Sequence, residues 1–137
     1  MSSTPEPTPP KDFLDIKFGD DQRRLFMSYG LLNECLRIVG SIERVSIIGV
    51  NHELREAVMM TVLPKRDTDG QVIEKLNLFT LPVSQEDVHA VLEWVGAHVI
   101  SFFMKQIKSV VRVHQPHQEE LTKIMTDSMS SSSGSEA

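Results

Sequence analysis

Histidine is the residue type in this chain best suited to chemistry, and two of the five, His114 and His117, stand three positions apart. Paired imidazoles hold zinc when cysteines or carboxylates at matching spacing complete the shell. Here Pro116 lies between them and no such ligand flanks them at that spacing, so they read as surface histidines. His89 and His98 fall on opposite sides of a helix and cannot share an ion. Glu86 and Asp87 sit where a helix dipole favours acids, which accounts for both without catalysis. Asp67 and Asp69 share a turn with Gly70 but lack the alternating acids and terminal Glu of a calcium loop. The glycines (Gly19, Gly30, Gly40, Gly49, Gly70, Gly96) are too dispersed to form a phosphate-cradling loop, and no serine stands in a nucleophile elbow. Cys35 is alone, which excludes an internal disulfide and fits a reducing compartment; on a helix face it acts as a small apolar residue. The residues predict no catalytic group, no metal and no cofactor, and hence a protein that is not an enzyme.

The element that holds most of the remaining information is a single long helix over residues 84–113. Ser84 supplies an N-cap hydroxyl, Glu86 and Asp87 an acidic first turn, and Pro116 a stop. At 100° per residue, Val88, Val91, Leu92, Val95, Val99, Phe102 and Phe103 share one face, as a core-facing helix requires. A second stripe, Ile100, Met104, Ile107 and Val111, lies to one side of it at spacings of four, three and four. One stripe suffices for the core of a domain this size, so the second needs a further element of this chain or another chain. These four residues, with Trp94, are the expected protein interface. Trp94 points away from the main stripe, where it can anchor a partner or equally cover a helix or the hairpin. Lys105, Lys108 and Arg112 occupy the remaining face, either as a nucleic-acid contact or as a solvated basic face that complements the helix C-terminus.

Residues 13–27 read as a β-hairpin: Leu14, Ile16 and Phe18 alternate with Asp15 and Lys17, Gly19-Asp20-Asp21 turns the chain, and residues 24–27 return. A hairpin alone is marginal in water, so helices must cover its apolar face. Ser28 then caps a helix to Val39 with Gly40 as its stop; Leu31, Leu32, Cys35, Leu36 and Val39 form its buried stripe. Residues 41–50 fit a short helix and a strand about equally. Asn51 caps a helix to about Leu63, ended by Pro64, with Leu54, Val58 and Thr61 or Val62 inward. A polar turn over 65–70 and an extended segment over 72–81 lead to the long helix. The expected fold class is α+β and mainly helical: an N-terminal β-hairpin packed on three principal helices, the last one long.

The 137 residues allow one domain with a modest core. Residues 1–11, with four prolines, read as a disordered tail, residues 12–113 as a single folded interaction domain, and residues 114–137 as a flexible acidic, Ser-rich tail with a weak amphipathic piece after Pro116. The net charge of −5 divides into −2 over residues 12–113 and −3 beyond. Neither part has the basic excess of a nucleic-acid binder. No apolar run approaches the roughly 20 residues that span a bilayer, and the start lacks signal-peptide architecture, so neither membrane nor export is expected and the cytoplasm is the expected site.

The run Leu14-Asp15-Ile16-Lys17-Phe18-Gly19-Asp20, followed by Arg24-Leu25-Phe26-Met27-Ser28-Tyr29-Gly30-Leu31-Leu32-Asn33-Glu34, resembles the opening of tail assembly chaperones of tailed bacteriophages. There a short strand with a Phe-Gly turn leads to a second strand, a Tyr-Gly step and an amphipathic helix. The likeness is most specific over residues 14–40 and architectural beyond. It implies a non-catalytic protein of the host cytoplasm that binds the tape measure protein and keeps it soluble until tail-tube subunits polymerise around it. The tail-tube protein is a further partner on this view, and self-association is expected. The Ser-rich end fits the shorter of two forms that some family members make by translational frameshifting. Seven methionines suit a surface that adapts to many helical segments. The competing readings are a small helical adaptor or regulator contacting nucleic acid through Arg23, Arg24, Lys105, Lys108 and Arg112, and a structural tail or neck component.

Overall fold

In a computed structural model, which describes residues 9–114, the chain runs from a β-hairpin through two short helices into one long helix. Strand β1 (Phe13–Phe18) pairs antiparallel with β2 (Asp21–Phe26), Phe13 facing Phe26 and Phe18 facing Asp21. Only Gly19 and Asp20 join them. Gly19 has φ +68°, at the first loop position where a two-residue hairpin turn demands positive φ. The return strand therefore begins at Asp21, earlier than the apolar residues alone suggest, and its charged half is held by pairing: Arg24 meets the Asp15 carboxylate at 2.8 Å. Ile16 and Leu25 are buried on one face, while Phe13 and Phe26 stack on the other with ring centroids 4.9 Å apart.

Helix α1 (Tyr29–Val39) starts where Ser28 Oγ accepts the Leu31 N–H at 3.1 Å, and it stops at Gly40, whose φ of +83° no β-carbon would tolerate cheaply. Leu31, Cys35 and Val39 are buried as the periodicity requires. Residues 41–50 resolve as a 3₁₀ turn, Ile42–Ile47, with Ile48 buried behind it. This turn passes close to α3, since a β-carbon on Gly96 would lie 3.4 Å from Val45 Cγ1. Helix α2 (His52–Val62) is capped by Asn51, whose Oδ1 accepts the Leu54 N–H at 3.0 Å, and buries Leu54, Val58, Met59 and Val62.

The connection to the last helix is less regular than an extended segment. Arg66 and Val72 form a single antiparallel bridge around a turn in which Asp67 Oδ1 accepts from Asp69 and Gln71. Leu78–Thr80 then forms a short 3₁₀ turn. Helix α3 (Gln85–His114) opens with Ser84 Oγ accepting the Asp87 N–H. Asp87 has a second task that its place in the first turn does not reveal: its Oδ2 accepts the Lys17 N–H at 3.1 Å. With Gly19 donating to the Pro82 carbonyl at 2.8 Å, this ties the hairpin to the start of α3.

Buried residues of the hairpin, α1, α2 and the first half of α3 join in one apolar core, with Val91, Val95 and Val99 fully enclosed. Phe102, expected in that core, is half-buried and instead meets Phe103 edge-on at 6.4 Å. The chain divides into two units inside α3, Met1–Phe103 and Met104–Ala137. Of the second unit the structure describes the end of α3, in which residues 104–112 are all exposed. Of the tails expected over residues 1–11 and 114–137, residues 1–8 and 115–137 lie outside the described residues.

Candidate functional site

Cys35 has no exposed surface, and burial pushes its thiol up to about 11, so it presents no thiolate at neutral pH. His89 pairs with Glu93 at 2.8 Å across one helical turn, both well exposed. No group of three His, Cys, Asp or Glu side chains is placed to hold a metal ion among the described residues.

Trp94, expected at the interface, turns inward. It is buried, its Nε1–H donates to the Lys11 carbonyl at 2.7 Å, and its ring meets His98 edge-on at 5.3 Å. His98 Nε2 lies 2.7 Å from the same carbonyl, and because a carbonyl only accepts, this nitrogen carries the proton. Two side chains of α3 thus hold the chain where it enters β1. Lys11, assigned to the tail, is a structural residue, and the folded region begins before Asp12. The size of Trp94 and its place beside Val91 and Val95 were the available signal; its distant backbone partner was not.

Arg23 is a nucleic-acid contact on the adaptor reading. It instead forms a bidentate pair with Glu74 at 2.6 and 2.9 Å, donates to the Leu63 carbonyl at 2.9 Å and lies 3.6 Å over the Phe18 ring. The Arg23 guanidinium holds the Glu74 carboxyl below its usual range, helped by the Lys65 N–H at 3.1 Å. An open cleft of about 710 Å³ beside this pair is lined by β2 and residues 62–73. Its arginines already have partners: Arg24 pairs with Asp15, and Arg66 donates to the Gly70 and Thr61 carbonyls at 2.8 and 2.9 Å.

The second stripe of α3 is the surface left over. Ile100 is 42% exposed in the first unit; Met104, Ile107 and Val111 are 45–52% exposed in the second. Val110, which the stripe omits, is the most exposed of the group at 57% and widens the apolar face on one flank. Its spacing of three from Ile107 was the signal for it. No carboxylate occurs in residues 94–113, whereas Lys105, Lys108 and Arg112 all do. The distal helix is therefore an apolar strip with only basic neighbours on its own element. A further exposed apolar pair, Leu78 and the almost fully exposed Phe79, stands beside Met60 and Leu76. Periodicity gave no sign of it, because the segment is irregular.

No described helix is long and apolar enough to cross a membrane. Compared with protein-family models, with curated proteins and with solved structures, the chain matches none.

Proposed function

We propose that this protein is a non-catalytic tail assembly chaperone, which binds the tape measure protein of a tailed bacteriophage and keeps it soluble in the host cytoplasm while tail-tube subunits polymerise. The observation that carries the proposal is the exposed apolar face of distal α3, formed by Met104, Ile107, Val110 and Val111. Burial of apolar area is the main favourable term in most protein association, and an amphipathic helix partner is the natural complement of a strip at helical spacing. The likeness of residues 14–40 to the opening of such chaperones supports the same assignment. So does the hairpin, whose Gly19 turn and capped α1 have the order that the likeness implies.

Co-expression tests it. The chain should hold its tape measure partner in the soluble fraction, in several copies per partner, and Ile107→Asp should return that partner to the pellet. Hydrophobic contacts are not weakened by screening, so the complex should survive high salt. A nucleic-acid-binding adaptor is the second reading, favoured by the basic residues of distal α3. It requires duplex binding that weakens steeply between about 50 and 200 mM salt. Its Arg23 and Arg24 contacts are hard to supply, since both arginines are paired with carboxylates.

A further inference from the structure

We propose that the chain binds a second copy of itself head to tail: the apolar strip of distal α3 in one copy docks on an acid-rimmed apolar hollow beside α2 in the other. The contact is a property of the protein alone and does not rest on the identity of any partner.

The hollow is open, has a volume of about 630 Å³ and lies between α2 and residues 76–79. Phe79 is 99% exposed and Leu78 40%, and half-buried Met60 and Leu76 complete the apolar lining. Asn77 Oδ1 accepts the Phe79 N–H at 2.8 Å and caps the 3₁₀ turn that presents the ring. Aromatic anchors of this kind carry much of the energy of protein interfaces. The only charged side chains that line the hollow are Glu53 and Glu56, one turn apart on α2. Neither pairs with a base among the described residues. Two unpaired acids beside an apolar hollow select an apolar segment with bases along one flank.

Distal α3 is such a segment. Met104, Ile107 and Val111, each 45–52% exposed, form its strip, and residues 94–113 hold no carboxylate. Lys105 and Arg112 lie about 20° apart around the helix, on the flank beyond Met104. These two carry the charge match, and neither is in an ion pair among the described residues. The lengths agree as well: Met104 to Val111 and Glu53 to Met60 are each seven positions, about 10 Å of helix. Two strips paired with each other would set bases against bases, whereas a strip on the hollow sets bases against acids. A contact this small falls below the roughly 1,200 Å² of a stable complex, so its dissociation constant should be on the order of 10–100 μM. Below that range the chain is a monomer and its strip is free for another partner.

Sedimentation equilibrium of the full chain from about 5 to 500 μM tests the contact. The weight-average mass should rise above that of one chain across this range. Phe79→Ser and Ile107→Asp change exposed side chains, so circular dichroism should show both variants folded. Each alone should associate about tenfold more weakly or worse. Mixed in equal amounts they should associate again, because one supplies an intact strip and the other an intact hollow. Glu53→Lys combined with Glu56→Lys should also prevent association, and a chain carrying Lys105→Glu and Arg112→Glu should restore it in the mixture. A parent that keeps the mass of one chain throughout would overturn the proposal. So would undiminished association of Phe79→Ser, which would mean that two strips pair, or a mixture of the two single variants no heavier than its components. Association indifferent to the reversal of Glu53 and Glu56 would overturn it as well, since the charge match would then contribute nothing.

Discussion

Val95 and Ile107 are both β-branched apolar residues of α3, and substituting them should have opposite consequences. Val95 has no exposed surface and lies in the shared core. Val95→Ala removes two methyl groups, a transfer loss of roughly 1.6 kcal/mol, and the unfilled space adds about another 1 kcal/mol. The sum, about 2–3 kcal/mol, should lower the thermal midpoint by roughly 10–20 °C for a folded region of about 100 residues. Ile107 is 52% exposed, so Ile107→Asp forfeits at most half of a full burial, roughly 1 kcal/mol, at the end of α3. Circular dichroism melts of the two variants, read beside partner binding, separate the roles. Val95→Ala should melt early yet bind its partner at temperatures where it is folded. Ile107→Asp should melt near the parent and fail to bind. Equal loss of midpoint in the two would refute the reasoning, because Ile107 would then belong to an internal core.

The Arg23–Glu74 pair gives a prediction in pH. A carboxyl held below its usual range when folded stabilises fully above about pH 4.3, where the unfolded group is ionised, and this stabilisation is lost as pH falls through the lower folded value. Glu74→Gln should therefore cost about 1–3 kcal/mol at pH 7, read from urea midpoints, with the gap from the parent closing toward pH 3; a gap that does not change with pH would show that the ionised carboxylate contributes nothing. Trp94→Phe keeps the ring and loses the 2.7 Å bond to the Lys11 carbonyl, so it should cost about 1 kcal/mol and speed amide exchange at the entry to β1. Cys35 should resist alkylation at pH 7 until the protein unfolds, and a fast-reacting thiol in the native state would contradict its burial.

Local signals in the sequence carried most of the fold. Ser28, Asn51 and Ser84 mark helix starts because their side-chain oxygens reach N–H groups only three positions on, and Gly19 and Gly40 mark stops because backbone sign is a local property. The buried faces of α1, α2 and α3 followed from a period of 3.6. What escaped the sequence depends on contacts between residues far apart in the chain. Arg23 finds Glu74 across 51 positions and Trp94 finds Lys11 across 83, so neither residue's task was visible in its neighbours. Arg23 accordingly looked free for a ligand and Trp94 free for a partner. The distal stripe was legible for the opposite reason. Ile100, Met104, Ile107 and Val111 exceed what the core takes up, and surplus apolar spacing on a helix shows without knowledge of any contact.

We propose distal α3 as the surface on which this protein binds a helical, apolar partner. Amide hydrogen exchange of the full chain, alone and with a soluble helical segment of the tape measure protein, tests it most directly. Protection should rise across residues 100–112 and stay unchanged in β1, β2 and the loop over residues 64–83. Protection confined to the hairpin or that loop, or none anywhere with both proteins folded and in excess of any plausible affinity, would contradict it.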